Sequence, residues 1–355
     1  MREIMNFKGL VLIFFTIFLS ISCSLENDSS NKVSWSISEG VEYPEGGKLS
    51  RAEDGVILAD GTLIVADQRH GLSVIDQSGN VTPFGDFEAL GYEHNPPKIE
   101  SGPNGVHLTP DKQHVITADV FNGKIYKTSI ENNSTEIIYA HKYGANTARE
   151  DSTGSLWFTQ STENQNEERL FGALDKAIPD GALYRLSFSE DGFASKPELV
   201  IDNLYFANGF YIDEGKNKLY LSEMMKNRVL VFDLDVSTGT LSNQTTLAIM
   251  PTPDNMELNS EGDLWVASPL SNQILSIDVE SGAVTVVFDA QTDIGFESMK
   301  TGIERIENGE GFADLLSPEL TGDMPGLLTG MILGDESQPF YVANLGTALI
   351  QVAKK

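Results

Sequence analysis

Five short polar stretches, each placed directly before a run of apolar residues, contain side chains that could bind a metal ion. They offer carboxylate and amide oxygens, without thiols or imidazoles. This ligand set is typical of a hard cation such as Ca²⁺ and not of Zn²⁺ or copper. The stretches are Glu53-Asp54-Gly55, Pro103-Asn104-Gly105, Ala145-Asn146-Thr147, Ala207-Asn208-Gly209 and Pro253-Asp254-Asn255.

Charge balance supports a divalent ion at these positions. The carboxylates of Glu53 and Asp254 would balance its charge, which otherwise could be buried only at a large cost in free energy. The asparagines would add neutral oxygens. Asn-Gly and Asp-Gly are also the commonest turn dipeptides, so any one stretch alone is more typical of a turn. The hypothesis of a metal site therefore depends on the set occupying equivalent positions in a repeated structure.

The elements that must position these side chains come from one sequence pattern that occurs six times. Each copy has a Gly, Asp or Asn turn, an apolar strand, a short polar turn and a second apolar strand. This order is typical of antiparallel meanders. The copies begin at Asp60, Asp111, Gly154 (with its second strand at Gly181, after an insertion), Asn217, Gly262 and Gln338.

Six similar units predict an all-β fold, a six-bladed β-propeller with a central metal site, over residues 35–355. Radial blades bury both faces against their neighbours and leave few strand edges free. The last strand and a strand near Trp35–Glu42 are expected to share a blade and close the ring. A β-sandwich is the alternative, although it rarely needs six similar hairpins. Two polar, Gly/Pro-rich insertions, Gln160–Pro179 and Ala290–Met324, are predicted to be loops.

The propeller geometry explains how the polar stretches would meet. The innermost strands of a propeller start at the same end of its central channel, so side chains at equivalent positions converge on the axis. We therefore expect a ring of oxygens around one divalent cation, Ca²⁺ or another.

The charge of the chain excludes some classes of partner. The chain has 24 Lys and Arg against 52 Asp and Glu, a formal net charge of −28. Such a charge repels nucleic acid and anionic lipid headgroups, so neither is expected as a partner. A solvated surface adapted to salt or to an envelope compartment explains most of this acidity.

The N-terminal residues predict export. Residues 1–23 have the pattern of a signal peptide, with an apolar run at Gly9–Ile21 that is short for a membrane span. The run ends near Cys23, and a polar linker follows over residues 24–34. The arrangement resembles a bacterial lipoprotein signal, in which Cys23 would be lipidated; cleavage by the ordinary signal peptidase is the alternative. The protein is expected to be exported, as a periplasmic or outer-membrane lipoprotein or otherwise as a secreted protein. It would contact a membrane only through the lipid anchor on Cys23.

Two segments resemble a known group of proteins. FANGFYIDEGKNKLYLSEMMKNRVLVFDLD (Phe206–Asp235) and TPDNMELNSEGDLWVASPLSNQILSID (Thr252–Asp278) are similar to calcium-dependent lactonase propellers. That superfamily contains the regucalcin/gluconolactonase, paraoxonase/arylesterase and strictosidine-synthase-like groups. The resemblance implies one catalytic Ca²⁺, or another divalent cation. Its implied ligands are Glu53, Asn146, Asn208, Asp254 and Asn255.

The chain departs from the paraoxonase pattern at two positions. Asn104 stands where paraoxonases have a histidine, and it cannot act as a base. His107 is three residues further on, and strand alternation predicts that it points away from the channel, at the surface or between strands. Thr147 replaces an acidic ligand of a second, structural calcium, so only one ion is expected despite Asp54.

The resemblance implies a hydrolase that acts on a lactone or simple ester. Asp254 and Glu53 are expected to be catalytic, and Asn104, Asn146 and Phe171 to contact substrate. Non-catalytic alternatives remain, in which the metal stabilises a propeller that binds a ligand or a protein in the cell envelope. Of the remaining aromatic residues, Trp157 and Phe206 are predicted to be core, and Phe296 and Phe312 to be candidates for substrate contact.

Overall fold

The computed structural model describes residues 34–164, 170–189, 194–335 and 338–353. The predicted signal peptide with Cys23, and the linker as far as residue 33, lie outside this part of the chain. None of the helices in the described ranges has the length and apolar character needed to cross a membrane.

Strands account for most of the regular structure in these ranges, as the repeated apolar segments predict. In chain order the strands are β1 (Trp35–Ser36), β2 (Gly40–Tyr43), β3 (Gly55–Ile57), β4 (Leu63–Asp67), β5 (Gly71–Ile75), β6 (Val81–Phe84), β7 (Pro103–Leu108), β8 (His114–Asp119), β9 (Lys124–Ser129), β10 (Thr135–Ala140), β11 (Ala148–Glu150), β12 (Leu156–Gln160), β13 (Gly181–Leu186), β14 (Glu198–Leu204), β15 (Ala207–Asp213), β16 (Lys218–Glu223), β17 (Arg228–Asp235), β18 (Thr240–Ile249), β19 (Met256–Leu258), β20 (Leu264–Ser268), β21 (Gln273–Ile277), β22 (Val284–Asp289), β23 (Leu328–Ile332), β24 (Phe340–Asn344) and β25 (Leu349–Val352).

These strands form six sheets, which are the blades of the propeller. Blades 1 to 5 are the consecutive meanders β3–β6, β7–β10, β11–β14, β15–β18 and β19–β22. Blade 6 combines β23–β25 with the N-terminal β2, which pairs antiparallel with β25 so that Val41 lies opposite Gln351. In addition, β1 pairs parallel with β22 of blade 5. The prediction of a six-bladed β-propeller is confirmed, including the closure of the ring by a strand from each end.

The core lies between adjacent blades. Between blades 1 and 2, Ile64 and Val106 pack with Tyr126 in one apolar cluster. Between blades 5 and 6, Trp265 and Phe340 are joined by Trp35, whose ring centroid is 5.0 Å from that of Phe340. Each blade therefore buries both faces, and the inner strands are held rigidly around the channel.

The insertion predicted to be a loop over Ala290–Met324 contains helix instead. Helix α1 (Asp293–Glu307) and the short helix α2 (Pro318–Thr321) follow β22. The side chain of Thr292 caps α1 by accepting a hydrogen bond from the Gly295 N–H at 2.9 Å. Met299, Ile303 and Ile306 stand at helical spacing within this segment, but its glycines and polar flanks favoured a loop. The helix packs closely, since a Cβ at Gly302 would lie 2.2 Å from Leu270.

Candidate metal centre

The five polar stretches lie at the start of the inner strands, in two alternating arrangements. In blades 1, 3 and 5, Glu53, Asn146 and Asp254 each stand two residues before the inner strand. In blades 2 and 4, Asn104 and Asn208 are the second residues of β7 and β15. These side chains meet at one cavity. Its polar lining consists of Arg51, Glu53, Asn104, Asn146, Asn208, Asp254 and Thr329.

The two Asn-Gly pairs are bulges within strands and not hairpin turns. The pairing of β7 with β8 shifts register between Pro103 and Val106, and that of β15 with β16 shifts between Ala207 and Phe210. A bulge redirects a side chain without ending the strand, which suits a position that must face the channel. Glycine at the second position permits close approach, because a Cβ at Gly209 would lie 2.7 Å from the Cα of Asn255.

The two carboxylates of the predicted metal site are buried. Glu53 is 2% exposed and Asp254 is 5% exposed. Glu53 Oε1 accepts a hydrogen bond from Asn255 Nδ2 at 2.9 Å. Within the described residues, Glu53 Oε2 and Asn208 Oδ1 are buried without a hydrogen-bond partner. Unpaired buried oxygens are costly, so this pair requires an explanation, and an oxygen-binding cation provides one.

The pKa values of Glu53 and Asp254 also indicate that these carboxylates require a cation. Burial raises the pKa of Glu53 to about 8, and the Asp254 carboxylate adds to this shift while the Arg51 guanidinium opposes it. Burial also raises the pKa of Asp254 well above its usual range, against the hydrogen bond from Asn208 and the charge of Arg51. A divalent cation between the carboxylates would reverse both shifts, because it favours their charged forms.

The remaining predicted ligands have partners among neighbouring polar groups. Asn146 donates through Nδ2 to Ser161 Oγ at 3.0 Å, and its Oδ1 accepts from Asn104 Nδ2 at 3.3 Å. Asn255 is not part of the cavity lining, and its Oδ1 accepts from Thr147 Oγ1 at 3.4 Å. We name the five predicted ligands the oxygen ring, defined as Glu53, Asn146, Asn208, Asp254 and Asn255.

Among the described residues, no group of three or more His, Cys, Asp and Glu side chains is placed to hold a metal ion. The oxygen ring contains only two such residues, Glu53 and Asp254, and three amides. Its chemistry fits a hard cation and does not fit a transition metal that prefers nitrogen or sulfur.

Two polar residues of the cavity, Arg51 and Thr329, are not among the candidates that the sequence indicates. Arg51 donates from Nη1 to the Pro103 carbonyl and from Nη2 to Asn104 Oδ1, both at 2.9 Å. Nothing in the local sequence distinguishes it, because it lies outside the repeated polar positions. Thr329 is the second residue of β23 and donates to the Glu53 carbonyl at 3.0 Å. Its signal was present, since Thr329-Gly330 in blade 6 repeats the position of the Asn-Gly pairs.

Apolar side chains form the rest of the cavity, which has a volume of about 60 Å³. Phe171 and Phe312 line it, as expected of candidates for substrate contact, and Phe206 lines it too although it was predicted to be core only. Trp157 is fully buried. The prediction for Phe296 is wrong, because this residue lies on α1 with 44% of its surface exposed and is not part of the lining.

A second polar group, the ion-pair cluster, lies further along the inner strands and consists of Asp54, His107, Arg149 and Glu257. Arg149 Nη2 donates to the Met256 carbonyl at 3.1 Å and is ion-paired with Glu257 Oε1. His107 is 5% exposed, so it is an interior histidine between strands and not a surface one.

The histidine of this cluster is neutral near pH 7. Its Nδ1 is 3.4 Å from Glu257 Oε1 and its Nε2 is 3.8 Å from Asp54 Oδ2. Burial lowers the pKa of His107 to about 4; the charge of Arg149 lowers it further, and Glu257 opposes the shift. Burial opposes ionisation of Glu257, yet Arg149 and His107 outweigh it and hold its pKa at about 2. Arg149 therefore balances Glu257, whereas burial and the neighbouring Glu53 carboxylate raise the pKa of Asp54 well above its usual range.

Comparison with known proteins extends this picture. Residues 138–294 match the family described as "SMP-30/Gluconolactonase/LRE-like region". Regucalcin of Danio rerio is 33% identical over 113 residues, which cover 30% of this chain and 35% of that protein. The chain matches two fifths or less of the length of its curated relatives.

Solved structures show the same fold. A calcium-binding regucalcin from Agrobacterium tumefaciens aligns with a TM-score of 0.59 and 12% identity over 90% of this chain and 95% of the other. A gluconolactonase from Xanthomonas campestris aligns with a TM-score of 0.57 and 16% identity over 86% of each chain. At these identities the likeness concerns the fold alone. The family match concerns residues 138–294, within this propeller fold.

Proposed function

We propose that this chain is a metal-dependent hydrolase of a lactone or simple ester, similar to the calcium-dependent lactonase propellers. Its partial match to the SMP-30/gluconolactonase/LRE-like family and its propeller fold support the proposal. The observation that carries the proposal is the pair of unpartnered buried oxygens, Glu53 Oε2 and Asn208 Oδ1, at one cavity with the Asp254 carboxylate. This arrangement suits one hard cation, with Ca²⁺ the first choice. The ion would be held by the oxygen ring.

A bound divalent cation would supply electrophilic polarisation of the substrate carbonyl and stabilisation of the developing oxyanion. The chain's own residues then have three tasks. Asn104 and Asn146 present amide groups at the cavity and orient the ester group. Glu53 and Asp254 are the carboxylates able to accept a proton from the attacking water. The apolar lining, including Phe171, excludes other water from the site.

In the proposed reaction, the water oxygen forms a bond to the carbonyl carbon, and the bond from that carbon to the ring or alkoxy oxygen breaks. The proton accepted by Glu53 or Asp254 returns to the leaving alkoxide. The products are a hydroxy acid from a lactone, or an acid and an alcohol from an ester.

The test is an assay of the purified chain on γ-lactones, δ-lactones and phenyl acetate, with added Ca²⁺ and with chelator. We expect turnover that chelator removes and Ca²⁺ restores. Asp254→Ala should be inactive, whereas Asp60→Ala, at an exposed turn between β3 and β4, should match the unsubstituted chain. Turnover no higher than that of Asp254→Ala would end the hydrolase proposal.

One observation favours a non-catalytic function as the second candidate. The cavity lining within the described residues contains no histidine, since Asn104 occupies the expected position and His107 belongs to the ion-pair cluster. In a metal-stabilised propeller that only binds a ligand, chelator would lower the melting temperature although no lactone or ester turned over. Measuring melting and turnover on the same samples separates the two functions.

We also propose that residues 1–23 direct export and that Cys23 is lipidated. Expression of the full chain in a bacterium should yield protein in the membrane fraction, and Cys23→Ser should release it. An unchanged membrane fraction for Cys23→Ser would contradict lipidation at this residue.

A further inference from the structure

The cavity above the oxygen ring has walls made of hydrocarbon. Six of the side chains that form them are Leu170, Phe171, Leu174, Phe206, Phe312 and Leu316. They belong to, or pack against, one apolar cluster over this end of the channel. Arg51 is the only described cationic residue in the lining, and it is already bonded to Asn104 and the Pro103 carbonyl.

The two inserted segments build these walls together. The Phe312 N–H donates to the Leu174 carbonyl at 2.8 Å, and Lys176 pairs with Glu310 as an isolated antiparallel bridge. A Cβ at Gly311 would lie 2.0 Å from the carbonyl carbon of Asp175, so the backbones are in close contact. Backbone hydrogen bonds thus hold Leu174 and Phe312 side by side, and the apolar wall is a built feature of the fold.

Such a wall discriminates between classes of lactone. Each hydroxyl of a sugar lactone that enters it would lose its hydrogen bonds to water and find no replacement. An alkyl substituent would instead move from water to hydrocarbon, at about 0.8 kcal/mol per methylene, which is about a fourfold gain in affinity. The unpartnered buried oxygens that the described lining offers, Glu53 Oε2 and Asn208 Oδ1, belong to the oxygen ring, where the ion would occupy them, so they would not replace the lost hydrogen bonds of sugar hydroxyls.

We propose that the substrate is a lactone or ester with a hydrocarbon substituent, and not a polyhydroxylated sugar lactone. This inference rests on the proposed hydrolase function. The ester group would lie at the oxygen ring and the alkyl or aryl part between Phe171 and Phe312. The reaction is the hydrolysis given above, and only the substituent is specified further.

The test holds the lactone ring constant and varies its substituent. kcat/KM is measured for δ-valerolactone, δ-octalactone, δ-decalactone and glucono-δ-lactone, all six-membered rings. We expect kcat/KM to rise with each added carbon, by up to about a thousandfold from δ-valerolactone to δ-decalactone, and glucono-δ-lactone to stay near background. Equal values across the alkyl series, or the highest value for glucono-δ-lactone, would overturn the inference while leaving the hydrolase proposal intact.

Two matched variants assign any preference to the wall. Phe171→Ser should lower kcat/KM for δ-decalactone about tenfold and for δ-valerolactone by less. Phe296→Ser, on exposed α1 and outside the lining, should change neither. Equal losses on both lactones for Phe171→Ser, with an unchanged melting temperature, would contradict a role of the wall in specificity.

A measurement of lactone binding tests the apolar site even if the chain hydrolyses none of these lactones. The melting temperature of Asp254→Ala is recorded with δ-decalactone and with glucono-δ-lactone. A rise with δ-decalactone alone supports the apolar site even if the hydrolase proposal has failed. A rise with glucono-δ-lactone alone, or with neither, counts against it.

Discussion

The oxygen ring and the ion-pair cluster are two groups of buried acids on the same inner strands, and they are neutralised in different ways. In the cluster, Arg149 pairs with Glu257 and holds its pKa at about 2. In the ring, neither Glu53 nor Asp254 forms an ion pair with a described Lys, Arg or His, and burial raises the pKa of Glu53 to about 8. Glu257 carries its own cation permanently, whereas Glu53 and Asp254 lack one among the described residues.

This difference indicates why the two regions would serve different purposes. A buried carboxylate paired with arginine is fixed in place and costly to disturb. A buried carboxylate without a partner is poised to bind an exchangeable ion, and the ion can then contact substrate. Substitutions in the ring should therefore affect ion binding and activity, whereas substitutions in the cluster should affect stability.

The largest expected effect concerns activity. Asp254→Asn keeps the size of the side chain but removes one of two charges that would balance the ion. We expect kcat/KM to fall at least about a hundredfold on any lactone that the chain hydrolyses. Asp60→Asn, at an exposed turn, is the control. Activity of Asp254→Asn within a few-fold of the control would show that the ring is not the reaction centre.

The second effect concerns stability. Arg149→Met removes the cation of the cluster and leaves the half-buried Glu257 with only the neutral His107 beside it, so the free energy of unfolding should fall by about 1–3 kcal/mol. Arg305→Met breaks the surface pair with Asp314 and should cost at most about 1 kcal/mol. Urea unfolding in the presence of Ca²⁺ measures both. Similar small losses would mean that the cluster does not depend on its arginine.

The third effect is a dependence on pH that differs between the two regions. In the metal-free chain, Glu53 has a folded pKa of about 8 against an ordinary value of 4.5. Its protonation stabilises the folded state fully below pH 4.5, and this contribution is lost as the pH rises through about 8. Glu257, whose folded pKa is about 2, stabilises the folded state at pH values above its ordinary pKa of 4.5. This stabilisation is lost as the pH falls through about 2.

Ion binding should remove the first of these dependences, because the bound cation keeps Glu53 charged. The difference in melting temperature between the Ca²⁺-bound and metal-free chain should therefore widen from pH 6 to pH 8. Glu53→Gln, which is neutral at every pH, should flatten the change in the metal-free chain. A constant difference across this range would contradict the raised pKa.

The smallest expected effect concerns Arg51, whose charge opposes the raised pKa values of both ring carboxylates. Its charge should also repel a cation. Arg51→Met should raise the affinity for Ca²⁺ about tenfold, and Arg51→Lys, which keeps the charge, should leave it near the original value. Calorimetric titration measures both. A lower affinity for Arg51→Met would show instead that its hydrogen bonds to Asn104 and Pro103 shape the site.

The sequence predicted the blades and most of the polar lining of the cavity, because both depend on local and repeated signals. Alternating apolar strands and a polar residue at the start of each inner strand can be recognised within a few positions. The ion-pair cluster could not be found this way, since Arg149 and Glu257 are 108 residues apart in the sequence and meet only when the blades assemble into the propeller. Helix α1 was missed because glycines and polar residues dominate its segment, although Met299, Ile303 and Ile306 stand at helical spacing.

The central claim is that the oxygen ring binds one divalent cation. Its most direct test is calorimetric titration of the metal-free chain with Ca²⁺, for the unsubstituted protein, Asn208→Ala and Arg305→Met. We expect one ion per chain for the unsubstituted protein and Arg305→Met, and at least about tenfold weaker binding for Asn208→Ala, which removes an unpartnered ring oxygen. Absence of binding, or binding of equal strength by Asn208→Ala, would contradict the claim.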